Sequence, residues 1–340
     1  MDSDLLLPRP EGLYCPAGDF FIDPMQPVAR AVVTHAHGDH ARSGSGLYHV
    51  AAAGEGLMRE RLGAASVVHA HAWREAFALG DTRVSFHPSG HILGAAQIRI
   101  EGCGKVAVVS GDYKRDPDPT CTPFEPVPCD VFVTESTFGL PIYRWPSMRQ
   151  VVDEILGWVD ECAARGVAAV LFCYALGKAQ RLLAELATRS ERTVHLHGAM
   201  LRLVALYREA GVPMLPTVPV SESARGKDFA GELVMAPPSA AGSPWMRRFG
   251  KASTGFASGW MQVRGARRRR GYDRGFVVSD HADWPGLLRS VADCGAKRIY
   301  VTHGDGEALI RHLRENGHEA FPLRSLGGQM PDLRSSEEGD

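Results

Sequence analysis

The chain has 340 residues, 44% of them hydrophobic, with 38 basic and 39 acidic side chains for a formal net charge of −1. That length holds one large domain or two ordinary ones and can bury a sizeable core. The balanced charge neither suggests nor excludes a polyanionic partner, so positive charge for one must be local.

Cys15, Cys103, Cys121, Cys129, Cys162, Cys173 and Cys294 are scattered, odd in number and never spaced C-x-x-C. This excludes a disulfide framework and a thiolate zinc site, and reads as small core residues in a reducing compartment. The opening "MDSDLLLPRPEG" lacks the basic and apolar regions of a signal peptide. No window approaches the roughly 18 apolar residues of a membrane span. The expectation is a cytoplasmic chain with no membrane contact and a disordered tail over 329–340.

From the start, short β-branched runs closed by Gly, Pro or Asp read as strands: 20–23, 31–34, 67–70, 83–87, 96–102, 105–112 and 130–135. A helix is expected after the histidines that follow Thr34, and another over 54–62. From 146 the pattern changes. "PSMRQVVDEILGWVDECAARG" carries a Pro-Ser helix start and helical apolar spacing up to Gly166. Then "VAAVLFCY", "GKAQRLLAELAT", "TVHLHG" and "MLRLVALYREAG" alternate strand and helix, which predicts βα units on a parallel sheet. After a Gly/Pro/Ser-rich, basic region (236–274), "GFVVSDHADWPGLLRSVADCG" and "RIYVTHGDGEALIRHLRENG" each read as strand, His-bearing loop and helix. The organisation predicted is a first domain over 1–143 and 274–328, interrupted by an insert over 144–273.

The densest chemistry is "AVVTHAHGDH". In an extended segment His35 and His37 alternate and can reach one point. Gly38 frees the backbone before Asp39 and His40. One tight loop cannot place all four on a single ion without strain, but it can serve two adjacent ions. Imidazole and carboxylate ligands suit zinc, iron or manganese. Other strand ends supply further ligands: His91 in "HPSGHILGAA", Asp112 in "VAVVSGDYKR" and His303 in "VTHGDGE". A carboxylate at a strand end can bridge two cations about 3.5–4 Å apart, which keeps a hydroxide between them at neutral pH. The pairs His69/His71 and His195/His197 lack the following Asp-His and are not assigned to metal. Nor are His87, His49, His312 and His318.

His35, His37, Asp39, His40, His91 and Asp112 on this strand pattern resemble the metallo-β-lactamase fold, an αββα sandwich. "TESTFG", "SDHAD" and "VTHGD" resemble, through Glu135, His281 and His303, the motifs of the β-CASP nucleic-acid nucleases, whose inserted α/β domain the segment 144–273 would form. "FCYALGKAQRLL" and "FASGWM" are similar to segments of that insert. "GDYKRDPDPTCTPFEPVPCDVFVTESTFGLPIYRWP" looks like the bacterial ligase-associated DNA exonucleases, predicted repair enzymes that accompany a DNA ligase and a helicase.

The resemblance, with the ligand chemistry, implies two divalent metal ions: zinc by default, with manganese or iron accepted. His35, His37 and His91 would hold one; Asp39, His40 and His303 the other; Asp112 would bridge. The bridging hydroxide would attack phosphorus. His281 would be the general acid, oriented by Glu135, and Asp23 would brace the histidine loop. The expected activity is exonucleolytic hydrolysis of DNA, single-stranded and from the 5′ end. His303 is the residue type of RNA-processing members, which Artemis-like members usually lack, so an RNA-processing β-CASP ribonuclease is the alternative. A non-catalytic scaffold and a small-molecule thioester hydrolase are further readings. No ligand is missing for the former, and the insert and arginine run oppose the latter.

For a polyanion, "RGARRRRGYDR" offers Arg267, Arg268, Arg269 and Arg270 just ahead of His281. Such a run binds backbone without reading sequence, and otherwise is a solvated basic loop. Lys178, after a glycine at a helix start, and Ser258 in "FASG" could grip a terminal phosphate.

Overall fold

The computed structural model describes residues 5–222, 229–263, 271–304 and 306–325. The arginine run Arg267–Arg270 and the tail over 329–340 lie outside the described residues. The chain divides into two compact units: residues 1–142 with 281–339, and residues 143–280.

The first unit contains two sheets. One runs in order β1 (Leu7–Arg9), β2 (Gly12–Cys15), β3 (Phe20–Ile22), β4 (Arg30–Val32), β5 (Leu47–Ala51) and β6 (Val68–His71), antiparallel up to β3 and parallel from there. The other has the order β19-β18-β11-β10-β9-β8-β7. Its strands are β7 (Phe77–Leu79), β8 (Thr82–Pro88), β9 (Ala96–Gly102), β10 (Lys105–Val109), β11 (Val131–Glu135), β18 (Arg298–Thr302) and β19 (Glu319–Pro322). Alternation along the strands divides two cores. Ala107, Val109, Val133 and Tyr300 join Leu13, Phe20, Ile22 and Val32 of the first sheet in one cluster. The intervening Val108, Phe132, Ile299 and Val301 pack in another against Leu287 and Val291 of α5 (Trp284–Cys294) and Leu309 and Leu313 of α6 (Glu307–Glu315). Helix α1 (Glu55–Leu62) contacts β5 and β6.

The helix expected after the histidines is absent. His40 N–H and Ala41 N–H both bond to His37 O, at 3.1 and 2.8 Å, and the turn goes no further. The next residues, "RSGSG", are poor helix formers, and Gly44 takes φ 103°.

The second unit is built on a six-stranded parallel sheet, order β14-β13-β15-β12-β16-β17, with β12 (Ala168–Phe172), β13 (Val194–Leu196), β14 (Thr217–Pro219), β15 (Leu233–Ala236), β16 (Ala252–Ala257) and β17 (Arg274–Phe276). All of β12 is buried, as a central parallel strand requires. Ala169 and Leu171 face Ile155 and Trp158 of α2 (Met148–Ala164), Leu182 of α3 (Lys178–Ala187) and Met200 of α4 (Gly198–Glu209). Ala168, Val170 and Phe172 face Phe229, Phe249 and Met261. This unit extends to Asp280, later than residue 273, because β17 pairs with β16.

Candidate active site

The histidine loop leaves the C-terminal end of β4, and Asp112 follows β10. Glu135 ends β11, and His303 follows β18. Open sheets present ligand-binding groups at the carboxyl ends of their strands, and here those ends supply most of the charged and imidazole groups.

Three groups of side chains converge: His35, His37, His91 and Asp112; Asp39, His40 and His303; and Asp112, Glu135 and His281. His37 Nδ1 stands 3.0 Å from His35 Nε2 and 3.0 Å from His91 Nε2. A neutral imidazole offers one donor and one acceptor, so three nitrogens facing one another are poorly served by protons alone. Nitrogen ligands about 2.0–2.1 Å from one tetrahedral ion lie roughly 3.3 Å apart, close to this spacing. Asp112 Oδ2 lies 3.5 Å from His35 Nε2, 3.7 Å from His91 Nε2 and 3.5 Å from His40 Nε2, so one oxygen faces both histidine groups. His40 Nε2 is also 3.6 Å from Asp39 Oδ2, and its ring stacks on His303 at 5.1 Å. His40 Nε2 and Asp112 Oδ1 are buried and make no hydrogen bond among the described residues. Buried polar atoms are normally satisfied, and cations placed between these groups would satisfy both. The donor set therefore fits two divalent ions.

The electrostatics agree. Burial, reinforced by His40, drives the His35 pKa well below the ordinary imidazole value, leaving the neutral ring that a metal requires. For His40 burial opposes charge, yet Asp112, then Asp39 and Asp23, hold its pKa well above the usual value. Burial also opposes charge on Asp112, but His40 and then His281 hold it well below the carboxylate range. Positive charge is wanted on the His40 side of Asp112.

Asp23 anchors the loop. Its carboxylate accepts from Thr34 N–H at 2.8 Å, from Thr34 Oγ1 at 2.6 Å and from His40 Nδ1 at 2.7 Å. Asp23→Ala should destabilise the chain by about 2–4 kcal/mol in urea titrations, since it strands buried donors. It should also weaken metal binding by about 10–100-fold, because it frees the His40 ring. Unchanged midpoint and affinity would contradict the assignment. Thr34, which also faces His35 Nδ1 at 3.1 Å, was missed in the sequence; its place directly before the motif was the available signal. Gly111 must pass the same threonine: at φ 55°, a Cβ there would meet Thr34 Cβ at 2.7 Å.

His303 is held in a left-handed conformation, φ 52°, which costs a non-glycine residue of order 1 kcal/mol or more. Ser136 Oγ donates to His303 O and, at 3.1 Å, lies against Thr302 O. Nothing in the spacing of Ser136 and His303 revealed this brace. Glu135, 1% exposed, accepts from His281 Nδ1 at 2.9 Å and from Tyr113 N–H at 2.8 Å. The His281 ring also lies 4.8 Å from that of His91.

Lys178 and Ser258 do not present themselves to a polyanion. Lys178 is buried, with Nζ 3.3 Å from Asp280 Oδ2 and 4.8 Å from the Tyr174 ring. Ser258 is buried and its Oγ caps a short helix by accepting from Trp260 N–H at 3.4 Å.

Among the described residues, the other histidine pairs join no metal-competent group. His195 lies 3.6 Å from Glu232, His197 caps α4, and His87 pairs with Glu125 at 3.1 Å. His49 Nδ1 meets His71 Nε2 at 2.9 Å, and burial, with His71 and His69, lowers its pKa from 6.5 to about 4. The fold keeps His49 neutral, while the unfolded chain binds its proton below about 6.5. Stability should therefore fall, by about 2 kcal/mol, as pH drops from 6.5 toward 4. Urea midpoints of His49→Gln should lose that share of the decline; parallel curves would refute it.

Compared with known proteins, the chain is 34% identical over 334 residues to a probable DNA ligase from Opitutus terrae, covering 96% of this chain and 32% of that protein. It is 29% identical over 103 residues to an RNase J-like protein from Methanocaldococcus jannaschii, covering 30% of this chain and 24% of that one. With cleavage and polyadenylation specificity factor 73 of Drosophila melanogaster it shares 34% identity over 97 residues, 28% of this chain and 14% of that one. The chain thus spans about a third or less of the length of these curated relatives. A crystal structure of a protein of unknown function from Enterococcus faecalis has a similar fold, with TM-score 0.60 and 13% identity over 86% of this chain and 78% of that one. No family profile matches the chain. Among the described residues, no helix is long and apolar enough to cross a membrane.

Proposed function

We propose that the chain is a β-CASP member of the metallo-β-lactamase-fold proteins and a metal-dependent phosphodiesterase, a DNA exonuclease acting on single strands from the 5′ end. The observation that carries this reading is Asp112 Oδ2, which faces His35, His91 and His40 at once. His35, His37 and His91 would hold one ion, Asp39, His40 and His303 the second, and Asp112 both. When bound, two divalent ions, zinc by donor type with manganese or iron as alternatives, would supply a hydroxide at neutral pH and neutralise charge on the phosphoryl oxygens.

The remaining work falls to the chain. Glu135, fixed by Tyr113 N–H, orients the His281 ring through Nδ1. His281 Nε2 is then the atom that hands a proton to the leaving 3′-oxygen. Asp23 and Thr34 keep the His40 ring aimed, and Ser136 keeps His303 in place. The two sheets of the first unit, with α1 outside one and α5 and α6 outside the other, are read as the αββα sandwich. The parallel sheet of residues 143–280 is read as the inserted domain.

DNA is favoured because the relative matched over nearly the whole chain is named a probable DNA ligase. A nuclease of this kind would trim strands in repair, in the cytoplasm, beside a ligase and a helicase. RNA is the second reading, favoured by His303 and by the relative named RNase J-like. The test offers 5′- and 3′-labelled single strands of DNA and RNA, of one sequence, with zinc or manganese. The DNA reading expects mononucleotides released first from the 5′ end of DNA. Faster cleavage of RNA would replace it with the second reading.

A further inference from the structure

Cys129 stands in the loop leading into β11, and Cys294 is the last residue of α5. Their backbones meet directly, Cys129 N–H donating to Cys294 O at 3.1 Å. Both side chains pack in the cluster that contains Phe132, Leu287 and Ile299. The two thiols lie close enough to shift each other's titration, and the Cys294 S–H donates to Val291 O at 3.2 Å. Disulfides need Cα atoms about 4.4–6.8 Å apart and Cβ atoms turned toward each other. Backbones joined by one N–H···O bond bring the Cα atoms close to that separation, and the two side chains share one cluster.

We infer that Cys129 and Cys294 are an oxidative modification site, closing to an intramolecular disulfide when the chain meets a hydroperoxide. The scattered spacing of the cysteines concealed this pair, since the fold alone brings them together.

The order of events follows from the unequal surroundings of the two thiols. Interaction with Cys129 holds the Cys294 thiol's pKa down, whereas interaction with Cys294, with burial, pushes Cys129 up. Cys294 is therefore the attacking sulfur. Its thiolate takes one peroxide oxygen, the O–O bond breaks and hydroxide leaves, giving a sulfenic acid. The Cys129 sulfur then displaces hydroxide from it; the S–S bond forms, and the thiol proton leaves with that hydroxide as water. Each sulfur loses one electron and one peroxide becomes two waters. The bond ties the entry of β11, which ends in Glu135, to the helix that follows His281.

The test treats the reduced full chain with graded hydrogen peroxide, alkylates the remaining thiols, and maps peptides by mass spectrometry. The inference expects a peptide joining residues 129 and 294, lighter by two hydrogen masses and restored by dithiothreitol. It should appear at doses below those that oxidise the exposed Cys103. Oxidised wild type should melt several degrees above the reduced chain. Cys129→Ser and Cys294→Ser should each abolish both the cross-link and that shift. The inference is overturned if both thiols stay alkylatable once Cys103 is oxidised. It is equally overturned if Cys129 is found linked to Cys121 or to a second chain.

Discussion

Replacing Asp112 by asparagine is expected to lower phosphodiester cleavage by roughly three orders of magnitude or more, with the fold retained. Asp112 Oδ2 is the atom shared by the two histidine groups, within 3.5–3.7 Å of His35, His40 and His91. An amide keeps the shape but removes the charge, so both ions would lose the ligand proposed to join them. Bound metal should fall together with the rate. Circular dichroism should be unchanged, since an isosteric side chain leaves the backbone contact from Ser89 Oγ to Asp112 O in place. Cleavage within a few-fold of wild type would remove Asp112 from the reaction.

His281→Ala is expected to reduce kcat by about 10²–10⁴-fold while KM and metal content stay near wild type. The numbers separate two roles that proximity alone leaves open, because Asp112, Glu135 and His281 are themselves close enough to hold an ion. If His281 were a ligand, metal would be lost with it. If it protonates the leaving group, the defect should shrink on a phosphodiester with a nitrophenolate leaving group, which departs without a proton. Glu135→Gln should act in the same direction by a smaller factor, because the ring keeps one hydrogen-bond partner but loses the charge that supports its protonated form. An equal defect on both substrates would contradict the general-acid role.

Much of this site could be read from the chain because ligands follow strands. His35, His91, Asp112 and His303 each stand just after a β-branched run, and the first unit gathers those strand ends. The same logic misjudged the residues after His40. The four glycine and serine residues of 43–46 cannot continue a helix that a single hydrogen-bonded turn begins. β5 was missed because "LYHVA" runs into alanines that also suit a helix. Lys178 looked like a phosphate ligand since sequence shows the glycine before it but not Asp280, its distant partner in the fold. Ser136 with His303, and Cys129 with Cys294, were hidden for the same reason: a contact between remote positions leaves no local periodicity to detect.

Asp112, as proposed, would join two metal ions that together support phosphodiester hydrolysis. The most direct measurement strips the chain with a chelator, adds zinc or manganese in steps, and follows bound metal by elemental analysis alongside release of nucleotide from labelled single-stranded DNA. Activity is expected to be lost on stripping and to return as occupancy approaches two ions per chain, while Asp112→Asn neither reaches that occupancy nor regains activity. Full activity in the stripped chain, or full occupancy without any phosphodiester cleavage of DNA or RNA, would contradict it.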